Sequence, residues 1–255
     1  MTRRVGAVLL AVVGVVVLVV VGFLVYASLV FEGDREASLD AWRSNGVEIT
    51  GTDRSIVIEP TTGATDTGLV FIPGAKVQPS AYLYKMAGIV EATGMTVVIT
   101  EPTLNLAFFD TRPLSAFTAD APDVERWYVG GHSLGGVRAC QLAADAEADA
   151  AAEPAVEGLI LFGSYCVDDL SDSDLAVLSI VGENDGLSTP EDVAARSGNL
   201  PDDAVTVVIE GANHAAFGDY GDQPGDGTAT IDRQTARAEI ADAVAEFVEA
   251  AQPAR

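Results

Sequence analysis

The sequence predicts an α/β fold: a mostly parallel sheet covered by helices on both faces, preceded by one N-terminal transmembrane helix. Three observations carry that expectation. Apolar runs such as "TGLVFIPG" (67–74), "GLILFGS" (158–164) and "LAVLSIVG" (175–182) lack the polar alternation of half-exposed strands, so they suit strands buried on both faces. Segments with helical spacing lie between them, as a parallel sheet requires. The 27 residues from Val5 to Phe31 carry no charge, and about 20 apolar residues suffice to cross a bilayer as a helix.

The N-terminal run has no polar face, which argues against a buried soluble helix. A cleaved signal peptide with a small-residue site near Ala27 is the alternative, although its apolar region would be only ~7–15 residues long. Arg3 and Arg4 precede the run, and Glu32, Asp34 and Glu36 follow it. Basic residues beside a span stay cytoplasmic, so the chain beyond residue 31 is expected outside the cytoplasm. The expected organisation is a membrane anchor over 1–31, a connector with some helical character over 32–46, and one soluble domain over 47–255.

Within that domain, "VEIT" and "SIVIEP" read as short strands around the turn Gly51-Thr52-Asp53. After the strand in 67–74, Pro79 opens a helix whose apolar residues Tyr82, Leu83, Met86 and Val90 lead to a stop at Gly94. "MTVVIT" (95–100) is a strand, and 101–122 a long loop. "RWYVGG" is a strand, followed by an Ala-rich helix from Leu134 to about Ala151. "GLILFGS", "LAVLSIVG" and "AVTVVIEG" (204–211) are three more buried strands, with a short helix at about 190–197. An amphipathic helix carrying Ile231, Ile240, Val244, Phe247 and Val248 ends the chain. The Ala/Asp/Glu-rich patch at 143–153 reads as the solvated end of a helix.

Net charge is −24 and the isoelectric point is about 4.1, with Lys only at Lys76 and Lys85. Such a surface repels phosphates, which disfavours nucleic acid as a partner. It suits an acidic proteome adapted to high salt, where carboxylate repulsion is screened; an ordinary acidic secreted surface is the plainer alternative. The two cysteines, Cys140 and Cys166, either form one bridge from a helix to a strand end or remain two buried thiols.

The chemistry sits at strand ends, where ligands meet an open α/β sheet. Ser133 lies in "GGHSLGG", at the step from strand to helix. Asp185 follows "LAVLSIVG", and His214 follows "AVTVVIEG". A serine hydroxyl needs a base within hydrogen-bond reach to become a nucleophile. Histidine suits that role because its unperturbed pKa lets it take and return a proton. An acidic partner holds the imidazole's tautomer and stabilises the imidazolium. The chain has only two histidines, and His132, inside the turn, should point away from Ser133 as a packing or hydrogen-bonding residue. His214 is therefore the expected base. Asp185 is preferred over Glu183, too near the strand end, and Asp192, already helical. An oxyanion hole needs preorganised N–H donors, expected from Leu134 and from Ala75, with Lys76 as the fallback.

The stretches "FIPGAKVQPSAY", "EPTLNLAFFD", "GGHSLGG", "GENDGLS" and "GANHAAFGDYGDQPGDG" resemble the α/β-hydrolase superfamily over about residues 67–250. Within it the chain is loosely similar to dienelactone hydrolases, in a compact subgroup without a cap. The resemblance implies an α/β-hydrolase domain over 47–255 with a triad in the order Ser133, Asp185, His214. Dienelactone hydrolases typically use a Cys nucleophile where this chain has Ser133, so their lactone chemistry is not expected. The loop at residue 74 lacks the Gly-Gly-Gly motif that lipases often carry, so nothing there signals a preference for long acyl chains. Only Tyr165 to Asp174 separate two strands where relatives insert a cap, leaving a pocket roofed by loops 101–122 and 215–230.

The expected function is a serine hydrolase of the carboxylic ester class, acting through an acyl-enzyme on a small-molecule acyl substrate. The alternative is an inactive hydrolase fold serving as a membrane-bound binding or scaffolding protein; acyl transfer to another acceptor would use the same residues. No cofactor or metal is expected, since the Cys and His pattern fits no zinc site and no phosphate or dinucleotide loop is present. Asp219, Asp222 and Asp226 lack the ordered spacing of a calcium loop and read as a turn-rich surface loop.

Overall fold

A computed structural model describes residues 2–148 and 154–251. Strands β1 (Val47–Gly51) and β2 (Ser55–Pro60) form a hairpin with Ile49 opposite Ile58. Six strands follow: β3 (Thr67–Ile72), β4 (Thr96–Thr100), β5 (Arg126–His132), β6 (Val156–Phe162), β7 (Ala176–Gly182) and β8 (Val205–Ile209). They form one sheet in the order β1-β2-β4-β3-β5-β6-β7-β8. The β2–β4 pair is antiparallel, and every pair from β4 to β8 is parallel.

The helices are α1 (Thr2–Ser28), α2 (Arg35–Arg43), α3 (Leu83–Thr93), α4 (Ser115–Thr118), α5 (Leu134–Ala148), α6 (Pro190–Ala194) and α7 (Arg233–Ala251). Alternating residues of the central strands feed two cores. Leu69, Phe71 and Tyr128 face a layer holding α3 and α7. Val70, Ile72, Trp127 and Val129 face one holding α4 and α5. All of β3 is buried, which explains its unbroken apolar run.

Helix α1 is long and apolar enough to cross a membrane over Arg4–Ser28, and its most apolar 18-residue window holds no buried residue. The connector is largely α2, capped by Asp34, whose carboxylate accepts the Ala37 N–H. The helix expected from Pro79 begins as a 3-10 turn before α3, and ends as expected at Gly94, in the left-handed conformation with φ 71°. The stretch Asp149–Ala151 of the Ala-rich helix, with the rest of the acidic patch to 153, lies outside the described residues.

One strand differs from expectation. β8 is not buried, because it is the last strand of the sheet and pairs only with β7. Ile209 turns into the core beside α7, while Val208 points the other way and is 51% exposed.

Candidate active site

β5 ends at His132 and α5 begins at Leu134, so Ser133 alone makes the turn between them. Its φ of 53° lies in the left-handed region, a strained conformation for a side chain other than glycine. Both its backbone groups are anchored: the N–H donates to Phe162 O at 3.1 Å, and the carbonyl accepts from Ser164 Oγ at 2.7 Å. The turn also requires its glycines. A Cβ on Gly131 would meet Gly135 O at 2.6 Å, and one on Gly135 would collide with the Ile72 carbonyl. The four non-glycine residues with positive φ among those described are Lys76, Leu104, Asn105 and Ser133. All lie in turns beyond β3, β4 and β5, at the sheet edge where the chemistry was expected.

Asp185 and His214 are brought together in a buried pair, with Asp185 Oδ2 2.8 Å from His214 Nδ1. The other Asp185 oxygen accepts the N–H groups of Leu187 at 2.8 Å and Ser188 at 2.7 Å, which fixes the carboxylate's rotation. With Nδ1 bonded to a carboxylate, His214 presents Nε2 as the free basic nitrogen. The described residues contain no hydrogen bond between Ser133 Oγ and His214 Nε2. Such contacts are often long in unliganded enzymes and tighten with substrate.

The loop after β3 narrows the choice of oxyanion donor. The Gly74 N–H donates to Tyr82 Oη at 3.0 Å, and the Lys76 N–H donates to Asn105 O at 2.7 Å. Lys76, the fallback, is therefore already committed. The intervening Ala75 N–H and the Leu134 N–H have no hydrogen-bond acceptor among the described residues.

His132 both packs and hydrogen-bonds, the role expected of it. It is buried, its ring centroid is 4.4 Å from that of His214, and its Nδ1 is 2.9 Å from Tyr82 Oη. Tyr82 Oη also accepts the Gly74 N–H, so one hydroxyl joins the loop after β3 to the His132 ring. His132 Nε2 is buried and reaches no partner at hydrogen-bonding distance among the described residues. Burial, and secondly the neighbouring His214, holds the His132 pKa well below 6.5. Burial likewise raises the Tyr82 phenol. The neighbour of His214 is thus a neutral ring, which adds no like charge beside it.

A family model described as "Alpha/beta hydrolase family" matches residues 68–238. The chain belongs to the α/β hydrolase family. Among solved structures, a thermostable esterase from Pseudomonas putida matches this α/β hydrolase with a TM-score of 0.58 at 14% identity, covering 86% of this chain and 88% of that one. The esterase domain of a Rhodothermus marinus protein matches with a TM-score of 0.57 at 13% identity, covering 80% and 98%. An esterase from Pyrobaculum calidifontis matches with a TM-score of 0.56 at 14% identity, covering 84% and 90%. No curated protein matches the sequence.

The stretch after His214 in this α/β hydrolase is not a plain surface loop. Asp226 Oδ1 accepts the N–H groups of His214 at 3.0 Å and Gly186 at 3.1 Å, and Oδ2 accepts that of Ala215 at 2.9 Å. One carboxylate thereby ties the Asp185 loop to the His214 loop. Asp219 is buried against Lys85, with Nζ to Oδ1 at 2.7 Å. Burial lowers the Lys85 pKa and raises that of Asp219, and their mutual attraction opposes both shifts. Glu183 and Asp192 serve local structure: Glu183 accepts the Gly211 N–H, and Asp192 donates its N–H to the capping Thr189. Cys140 and Cys166 form a disulfide between α5 and the segment after β6, with Cα atoms 5.3 Å apart.

Proposed function

We propose that this protein is a membrane-anchored serine hydrolase that cleaves a carboxylic ester or related acyl bond through an acyl-enzyme. One observation carries the reading: the buried Asp185–His214 pair, 2.8 Å apart, beside the strained turn that displays Ser133. The esterases that share the fold lend support on the choice of bond.

His214 Nε2 takes the Ser133 proton as Oγ attacks the carbonyl carbon, and the carbonyl's π electrons move onto oxygen. The N–H groups of Leu134 and Ala75 receive that oxyanion. Asp185 holds Nδ1–H and stabilises the imidazolium. Collapse of the intermediate breaks the bond to the leaving oxygen, which departs with the proton from Nε2. Water then repeats the sequence on the acyl-enzyme, releasing the carboxylic acid and restoring Ser133. An alcohol in place of water would give acyl transfer.

In this reading residues 1–31 anchor the protein, 32–46 connect, and 47–255 form the hydrolase domain outside the cytoplasm. A disulfide suits that compartment.

Fluorophosphonate labelling across salt concentrations tests the proposal. Wild type should label, and Ser133→Ala and His214→Ala should not. Absence of labelling at every salt level would support an inactive scaffold instead, and partition of product into added alcohols would reveal transfer.

A further inference from the structure

We propose that the reaction site opens onto the bilayer and that its substrate is an ester held in that bilayer, an assignment that rests on the anchored serine hydrolase reading above. The proposal starts from how α1 meets the domain. Phe31, three residues after α1 ends, forms a parallel bridge with Val77. Its N–H donates to Lys76 O at 2.7 Å, and its carbonyl accepts the Gln78 N–H at 3.0 Å. The chain leaving the span is therefore bonded to the loop that carries Ala75, with no slack between them.

The last turns of α1 touch the same rim. Ala27 is 1% exposed, Lys76 Nζ lies 3.8 Å from the centre of the Tyr26 ring, and Phe23 packs edge-on against Phe109 at 5.6 Å. Phe23 sets the depth. A span of about 20 residues starting at Val5, after Arg4, reaches the far boundary of the hydrocarbon near Leu24. Phe109 and its loop therefore sit level with the membrane boundary. Lys76 follows the same logic, with its ammonium over the face of an aromatic ring at the interface.

The exposed apolar surface agrees with this placement. Beyond α1 and Leu29, the exposed large apolar side chains among the described residues are Trp42, two on the β8 edge, and five on loops at the carboxyl ends of the strands. Those five are Leu104, Phe108 (59% exposed), Phe109 (49% exposed), Val167 and Leu187. An acidic domain gains nothing by charge attraction at an anionic membrane, so apolar contact is the means available to it. An ester whose acyl chain stays in lipid could then bring its carbonyl to Ser133 from the membrane side, past a rim with no cap.

The test uses the full chain in phosphatidylcholine vesicles. A nitroxide on Phe108→Cys, the native cysteines being paired, should collide with oxygen more than with a water-soluble nickel chelate. A second arm compares 4-nitrophenyl palmitate dissolved in the vesicles with 4-nitrophenyl acetate in water. The Phe108→Ser/Phe109→Ser variant should lower the palmitate-to-acetate rate ratio about tenfold, the effect of losing two half-buried aromatic contacts. A label facing water, or an unchanged ratio, overturns the inference while leaving the hydrolase reading intact. A label in lipid with Ser133 inert to fluorophosphonate overturns the hydrolase reading, and the substrate assignment with it.

Discussion

Asp226 holds His214 by its backbone, accepting the His214 N–H at 3.0 Å while also accepting the Gly186 N–H from the neighbouring loop at 3.1 Å. The proposed base and its proposed orienting carboxylate thus lie on loops joined by a third group that hydrogen-bonds only their backbone. Asp226→Ala should lower kcat by on the order of 10²-fold, as expected when a reacting group shifts by about 1 Å. Steady-state kinetics and fluorophosphonate labelling rates, with circular dichroism as the control for folding, check this. A variant with wild-type kcat would remove Asp226 from the positioning machinery.

His132 makes stability depend on pH in a defined direction. Its folded pKa is depressed by burial, so the native state refuses a proton that the unfolded chain accepts below about 6.5. Its contribution is therefore fully present above pH 6.5 and is lost as pH falls towards the folded pKa. The facing groups are Tyr82, His214, Phe217 and Tyr220. Denaturant titrations of wild type between pH 6.5 and 5 should show a loss of about 1.4 kcal/mol per pH unit that His132→Gln lacks. Parallel curves for the two proteins would contradict this.

The Lys85–Asp219 pair should behave as a unit. Lys85→Met leaves Asp219 buried with neither oxygen bonded to a side chain, since Oδ2 already lacks a partner. The expected cost is about 3–5 kcal/mol. Lys85→Met/Asp219→Leu should recover most of it, because both desolvation costs then vanish. Urea midpoints of the single and double variants decide the matter.

Reduction of Cys140–Cys166 should cost about 3 to 4 kcal/mol, the chain-entropy value for a loop of this size. Guanidinium midpoints with and without reductant measure it. No loss on reduction would mean that the unfolded chain is not constrained by the bridge.

The acidic surface predicts a rise in melting temperature with salt. At 1 M salt the Debye length is about 3 Å, short enough to screen carboxylate repulsion. Thermal scans from dilute buffer to molar potassium chloride test this, and a maximum in dilute buffer would argue for the ordinary acidic surface.

The legible parts of the sequence were those written locally. The glycines around Ser133 and the unbroken apolar strands act within a few residues, so the sheet and the turn at Ser133 could be read directly. The contacts that escaped are long-range. Tyr82 meets His132 across 50 positions, and Lys85 meets Asp219 across 134. No periodicity signals such pairs. β8 misled for a related reason: its apolar run looks like that of an inner strand, and only its place at the edge exposes Val208.

On the membrane-anchored reading proposed above, the Phe31–Val77 bridge has a kinetic consequence. A catalytic domain on a long tether sweeps a volume, and its turnover follows the molarity of what it meets there. A domain fastened at the point where its span emerges searches in two dimensions. For a lipid-borne ester its rate would follow the mole fraction of ester among neighbouring lipids, so adding inert lipid at constant total ester would slow it.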